Sequence, residues 1–352
     1  ALAAVGAAEW LIGMLIFGIY RTLAWIVAVM LPPMAIFFPL FTLLEDIGYL
    51  PRIAYNLDRC FAACGSCGKQ SLTMCMGLGC NAAGVVGARI IDSEKERLIA
   101  ILTNAFMPCN GRFPALVTVI TVFFSAGTGL PSVVCALILA AVILLGVIFT
   151  LIASRLLSST ILHGKPSSFI LEMPPYRKPN IPRVIVRSML DRTVFVLGRA
   201  VMIAIPAGLL IWLLANITLG GVTLLSHICL FLEPLAALCG MDGVILAAFL
   251  LGLPANEIVL PIILMAYTSG SELTEAGAIT EVGAILTANG WSIKTALCFL
   301  IFSMAHFPCS TTLISVKKET GSTRWMLIAA ALPTLFGAFT CMLVNLIFSV
   351  FS

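Results

Sequence analysis

Long runs of apolar residues without a single charge dominate this sequence. The longest run covers residues 113–154, and others cover 22–44, 200–232 and 325–352. A helix needs roughly 17–25 mostly apolar residues to cross a bilayer, so several runs are long enough and 113–154 is long enough for two spans. Because backbone groups cannot stay unpaired in lipid, we expect these spans to be helices.

The composition excludes the main soluble classes. The chain is 61% hydrophobic and 10% charged, whereas a soluble domain is about 45–50% apolar and about 25% charged. These values exclude a disordered chain, a nucleic-acid-binding domain and an ordinary cytosolic enzyme. The alternating pattern of an outer-membrane barrel is also missing. We therefore predict an all-α polytopic membrane protein with about eight transmembrane helices in a lipid bilayer.

A polar, proline-rich segment divides the chain into two halves. Between Arg155 and Arg199 there are eight Lys or Arg residues and two acids, so the positive-inside rule places this segment in the cytoplasm. The part from Arg183 to Arg199 is predicted to be an interfacial amphipathic helix. The predicted organisation is a first half over 1–157, a cytoplasmic loop and basic helix over 158–199, and a second half over 200–352.

The two halves carry the same pair of helix-breaking motifs in the same order. The first half has Gly-Leu-Gly-Cys-Asn at 77–81 and Met-Pro-Cys at 107–109. The second half has Gly-Leu-Pro-Ala-Asn at 252–256 and Phe-Pro-Cys at 307–309. Corresponding breaks in two repeats are the sequence sign of a transporter binding site. We therefore predict broken or re-entrant helices that meet near mid-membrane.

The breaks bring together ligand types that suit a divalent transition metal. Thiolate, amide oxygen and carboxylate favour such an ion over Mg²⁺ or Ca²⁺. Glu257 is the strongest single candidate, because it lies between the uncharged runs 243–256 and 258–271 and an acid in the membrane is costly unless it faces a cavity or a cation. The candidates at the breaks are Cys80, Asn81, Cys109, Asn256, Glu257 and Cys309.

Two acids after the run 22–44 allow two interpretations. Glu45 and Asp46 are either acids at the water boundary, paired with Arg52 or Arg59, or a cation-attracting mouth. We include both in the candidate metal path as the expected entrance.

These motifs, taken in order, resemble the membrane region of the FeoB ferrous iron transporters. The resemblance implies two gate repeats, uptake of Fe²⁺ across the bacterial inner membrane, and an iron path that includes Cys80, Cys109 and Cys309. It also implies a cytoplasmic GTP-binding domain, normally fused at the N-terminus and absent from this chain. The resembling segments are 41–52, 77–81, 97–98, 108–112, 252–259, 308–309, 318–322 and Trp325.

The predicted function is therefore a permease domain for Fe²⁺, gated by a GTPase domain outside this chain. No phosphate-binding loop of the G-x-x-x-x-G-K-[ST] type occurs in the sequence, so we expect neither a GTP site nor an enzyme here. Expected partners are Fe²⁺ as the transported substrate, lipid, the GTPase domain, small Feo accessory proteins and a second copy of the chain. Nucleic acid is not expected.

Three alternatives remain open from the sequence. A carrier of nucleosides or other organic solutes would use related gate repeats, with aromatic and amide side chains lining its cavity. A membrane enzyme would use Cys309 as its nucleophile. A channel for Mn²⁺ or Zn²⁺ would need the same ligand types as one for Fe²⁺.

Overall fold

The computed structural model describes residues 9–125, 130–162, 181–188, 193–268 and 279–351. Nearly all of these residues are helical, which confirms the predicted all-α membrane fold. The α-helices are α1 Glu9–Ile12, α2 Arg21–Asp46, α3 Tyr49–Ala63, α4 Lys69–Gly79, α5 Asn81–Gly87, α6 Glu94–Thr103, α7 Phe113–Ile120, α8 Pro131–Thr160, α9 Ile181–Ser188, α10 Phe195–Asn216, α11 Leu224–Leu238, α12 Gly243–Leu251, α13 Val259–Tyr267, α14 Ile279–Ala288, α15 Ile293–Met304, α16 Ser310–Thr320 and α17 Thr323–Phe351.

Shorter elements join the α-helices. Two π-helical segments, Gly13–Tyr20 and Thr121–Ser125, continue α1 into α2 and extend α7. An antiparallel hairpin of β1 Thr218–Leu219 and β2 Val222–Thr223 connects α10 to α11. The 3-10 helices are Ala88–Ile90, Asn104–Phe106, Asn110–Arg112 and Asn256–Ile258.

Among the described residues the candidate spans number five to seven, against the expected number of about eight for the whole chain. Five helical stretches are long and apolar enough to cross a membrane, and the number rises to seven if two bent pairs each count as one span. The bent pairs, α11 with α12 and α14 with α15, turn by 109° and 110° at short breaks. Each bent pair is therefore either a broken span or a re-entrant segment. The five stretches are Trp10–Asp46, Glu94–Ser125, Pro131–Thr160, Val196–Asn216 and Thr323–Val350.

The predicted basic interfacial helix over Arg183–Arg199 coincides with parts of two described helices, and residues 189–192 between them lie outside the described ranges. Its first part is the separate helix α9, where Ser188 donates a hydrogen bond to Thr42 of α2 at 3.0 Å. Its last residues belong to α10, which is apolar enough to span the membrane from Val196. Residues 163–180 of the proline-rich loop lie outside the described ranges.

One end of the bundle, here called the basic end, collects cationic side chains. Arg89 forms a two-pronged pair with Glu319, with both N···O distances 2.7 Å, and so joins the 3-10 helix Ala88–Ile90 to α16. A hydrogen bond and ion pair with Lys69 lower the pKa of the exposed Asp92 carboxyl. Further basic residues at this end are Arg155, Arg199 and Lys318.

The first span packs against α10 through a close backbone crossing. A Cβ placed on Gly208 of α10 would lie 2.4 Å from the carbonyl oxygen of Gly18 and 3.0 Å from the Thr22 side chain. Since the nearest atom is backbone, only a shift of a whole helix would make room. The crossing therefore requires glycine at residue 208.

Substitution of Gly208 by alanine is expected to lower the stability of the chain in detergent. Overpacking of this kind costs typically 1–3 kcal/mol, which appears as a fall in the midpoint of thermal unfolding. Gly198→Ala on the same helix is the matched control, because nothing lies within 4 Å of its added Cβ. Alanine is the better helix former, so the control should unfold at the same temperature or higher. Equal midpoints for the two variants would contradict the crossing.

Candidate metal path between four helix breaks

The two Gly-Leu-x-x-Asn motifs break their helices with the same backbone geometry. Cys80 separates α4 from α5 and has φ −157° and ψ 121°. Ala255, its counterpart in the second half, has φ −155° and ψ 123°. In both halves the same spacing places an asparagine, Asn81 or Asn256, at the first turn after the extended residue. The match of dihedral angles supports the internal repeat inferred from the motifs.

The two Pro-Cys motifs form the second pair of breaks. Cys109 and Cys309 are both extended, with ψ 166° and 157°, and each precedes a new helical turn. Proline lacks the amide hydrogen that would continue the preceding helix, so a break at each Pro-Cys follows from the sequence. The breaks in the second half contact one another, since the Ser310 amide donates to the Leu253 carbonyl at 2.7 Å.

All four breaks surround one buried cavity of about 30 Å³, here called the gate cavity. Six of the eight sequence candidates line it, and no aromatic side chain does so among the residues that the structure describes. Two methionines of α2, Met30 and Met34, complete one wall. The candidates on the wall are Cys80, Asn81, Cys109, Asn256, Glu257 and Cys309.

Glu257 lies against the backbone of the first half. A Cβ on Gly111 would come within 2.4 Å of the Glu257 carboxyl oxygen, so glycine at 111 lets the carboxyl approach the first gate. Glu257 is 7% exposed, and no other side chain donates a hydrogen bond to it within the described ranges. A buried acid of this kind is a candidate for contact with a cation.

Asn81 and Asn256 differ in the hydrogen bonds that their side chains make. With its amide nitrogen facing inward, Asn81 donates towards the carbonyls of Gly77, Asn104 and Met107, each at 3.2 Å. Asn104 returns a hydrogen bond to the Asn81 carbonyl at 2.9 Å. Asn81 therefore ties the two breaks of the first half together, and its amide is occupied by backbone.

Asn256 makes longer contacts, and they reach both halves. Its amide nitrogen lies 3.8 Å from Cys109 Sγ, and its Oδ1 lies 3.4 Å from His306 Nε2. The other ring nitrogen of His306 faces the carbonyls of Phe302 and Ser303 at 3.1 and 2.9 Å. Asn256 is thus less firmly held by backbone than Asn81 and is the freer of the two amides.

Glu45 and Asp46 do not reach the gate cavity. Glu45 lines a second, larger cavity of about 430 Å³, here called the vestibule, whose other charged residues are Arg89, Arg199, Lys318 and Glu319. The vestibule lies at the basic end and shares Val196 and Thr311 with the gate cavity. Asp46 lines neither cavity.

Arg112 lies in the resembling segment 108–112, but it is not among the site residues predicted from the sequence. It is 1% exposed and lies in the 3-10 turn that follows Cys109. A signal for it was present, because Arg112 is a lone charge between the uncharged runs 98–111 and 113–154. Glu257 was predicted as a site residue for the same reason, because it too lies between two uncharged runs.

The thiols and the carboxyl do not form a finished metal site. Within the described part of the chain, no group of three or more His, Cys, Asp or Glu side chains is arranged to hold a metal ion. The gate cavity therefore collects suitable ligand types without holding them at coordination distance.

Two family models match the chain. The Gate family, described as nucleoside recognition, matches residues 27–124 and 197–323. The ferrous iron transport protein B C-terminus family matches residues 139–192. No solved structure is significantly similar to the chain.

Several relatives share sequence over most of the chain. The Fe(2+) transporter FeoB of Staphylococcus aureus (strain COL) is 30% identical over 317 residues, which is 87% of this chain and 45% of the relative. FeoB of Methanocaldococcus jannaschii is 28% identical over 91% of the chain and 48% of its own length. A Porphyromonas gingivalis protein, an Fe(2+) transport protein A/FeoB fusion, is 25% identical over 85% and 40%. The chain thus spans less than half of each of these relatives.

Proposed function

Since this chain belongs to the FeoB family, we propose that it is the permease domain of a ferrous iron transporter and passes Fe²⁺ across the cytoplasmic membrane. One observation carries the proposal: the thiols of Cys80, Cys109 and Cys309 and the carboxyl of Glu257 converge on one buried cavity between four helix breaks. Thiolate and carboxylate together suit a first-row transition ion better than Mg²⁺.

The basic end supports an orientation for the chain in the membrane. Cytoplasmic regions of membrane proteins are enriched in Lys and Arg, so the basic end with its vestibule is the cytoplasmic end. For uptake, the vestibule is then the exit for Fe²⁺. Glu45, which the sequence analysis placed at the entrance, lies on this exit side.

The absence of a finished metal cluster within the described residues agrees with a transport role. A permeating ion must bind well enough to enter and weakly enough to leave. We propose that Fe²⁺ meets the thiols and Glu257 one after another as the breaks move apart, and that Mn²⁺ and Zn²⁺ compete through the same ligands.

Partners outside this chain follow from the relatives. We propose that a GTP-binding domain acts on the basic end, since the relatives extend well beyond the region that they share with this chain. The fusion of transport protein A to FeoB in the Porphyromonas gingivalis relative supports a small accessory protein of that type as a second partner.

A nucleoside carrier is the second candidate, because the Gate family is described by nucleoside recognition. The gate cavity gives it little support. Its volume of about 30 Å³ has room for about two or three water molecules, and aromatic side chains for base stacking are missing from its described lining.

Anaerobic equilibrium binding to the purified chain in detergent tests the proposal. We expect saturable Fe²⁺ binding that Mn²⁺ and Zn²⁺ compete for and Mg²⁺ does not. Glu257→Gln should weaken Fe²⁺ binding at least about tenfold, equivalent to about 1.4 kcal/mol. Glu281→Gln, on the exposed face of α14, is the matched control and should bind like the wild type. Binding that Glu257→Gln leaves intact, or saturable binding of a nucleoside instead, would contradict the proposal.

A further inference from the structure

Arg112 connects the two gate halves through backbone carbonyls alone. Its guanidinium donates to the Ala105 carbonyl of the first half at 3.0 Å. It also donates to the carbonyls of Met304, His306 and Phe307 of the second half at 2.7, 3.4 and 3.5 Å. No carboxylate accepts from it in the described part of the chain.

The carbonyls lie at neighbouring positions of the two repeats, since Met304 corresponds to Asn104, the residue before Ala105. Ala105 follows α6 just before the first Pro-Cys break, and Met304 ends α15 just before the second. The C-terminal end of a helix carries unpaired carbonyls and a partial negative charge, so one cation stabilises both ends. The residue equivalent to Arg112 in the second half is Thr312, whose hydroxyl lies 3.2 Å from Cys309 Sγ. A single arginine therefore serves both repeats.

The gate cavity as it stands is too small for an ion to pass with its water. To open it, the two Pro-Cys breaks must separate, and the bonds from Arg112 to the second half must break first. We propose that Arg112 is a positioning residue that latches the two gates in the closed state and holds Cys109 and Cys309 on one cavity.

Arginine suits this task better than lysine. Its planar fork offers five donors, so it bonds two helix ends at once, whereas the lysine ammonium is a compact point charge on a flexible stem. Lysine at 112 should therefore keep the charge and weaken the bridge. A hydrophobic residue of similar length should remove both.

Site-resolved thiol labelling of the purified chain in detergent tests the latch. The variants are Arg112→Lys and Arg112→Met, with Lys294→Met as a control at the other end of the bundle, where Lys294 bonds Asn345. We expect a maleimide to label Cys109 and Cys309 at least tenfold faster in Arg112→Met and severalfold faster in Arg112→Lys. Labelling of Cys298 and Cys341, both fully buried, should stay at the wild-type rate in all variants.

Leak of Fe²⁺ into liposomes that contain the chain is the second readout. The leak should be largest for Arg112→Met and smaller, but above the wild type, for Arg112→Lys. This readout rests on the proposed function, but the labelling needs no metal, so failure of either is separately visible. Wild-type labelling rates in both variants would overturn the latch. Faster labelling of all four cysteines in both variants would also overturn it, since Arg112 would then maintain the fold in general.

Discussion

Asn81→Ala should destabilise the chain strongly and Asn256→Ala should not, although the two asparagines are equivalent in the repeat. Removing the Asn81 amide takes a donor from the carbonyls of Gly77, Asn104 and Met107, of which Asn104 still accepts from the Met107 amide. A buried polar group that loses its partner costs about 1–3 kcal/mol, so the expected loss is about 2–4 kcal/mol. Asn81→Asp should be worse, because it aims a carboxylate at those carbonyls.

Asn256→Ala is expected to leave the stability nearly unchanged and to weaken Fe²⁺ binding. Its contacts, 3.8 Å to Cys109 Sγ and 3.4 Å to His306, are long and contribute little to the free energy of unfolding. Asn256 lines the gate cavity, so Fe²⁺ binding should weaken about tenfold, or by about 1.4 kcal/mol. Thermal unfolding in detergent and anaerobic Fe²⁺ binding, measured on both variants, separate the two roles. Equal losses of stability would show that the structural distinction between the asparagines is wrong.

The sequence predicted the breaks because their causes are local. A proline removes a backbone donor at the residue where it stands, so the breaks before Cys109 and Cys309 follow from Pro108 and Pro308. The breaks at the other motif were predicted because the same spacing recurs in the two halves. The motifs themselves place the three thiols and Glu257 at the breaks. Their role as iron ligands stays a prediction.

What the sequence could not predict depends on how distant segments pack. The bond from Arg112 to the Met304 carbonyl joins residues 192 positions apart, and nothing near Arg112 indicates its acceptor. Glu45 shows the same limit. An acid after an apolar run marks the water boundary, but which boundary it marks follows only when Arg89 and Lys318 are found in the same vestibule.

Replacing Cys80, Cys109 and Cys309 together by serine should abolish Fe²⁺ uptake. Serine keeps nearly the shape of cysteine, so the walls of the small gate cavity stay in place while the soft thiol ligands are lost. Uptake would be measured in iron-starved bacteria that lack their own ferrous transporters and express the natural gene that encodes this chain. We expect a loss of at least about tenfold, equivalent to about 1.4 kcal/mol.

The matched control replaces Cys60, Cys64 and Cys135, three cysteines that line neither the gate cavity nor the vestibule. It changes the same number of thiols to serine and should transport Fe²⁺ at the wild-type rate. Both proteins must reach the membrane in equal amounts, as immunoblots of the membrane fraction would show. If the gate variant kept its uptake, the thiols would be packing residues and the proposed iron path through them would be wrong. If both variants lost uptake equally, thiol loss would act through the fold, and the path would have to be sought elsewhere.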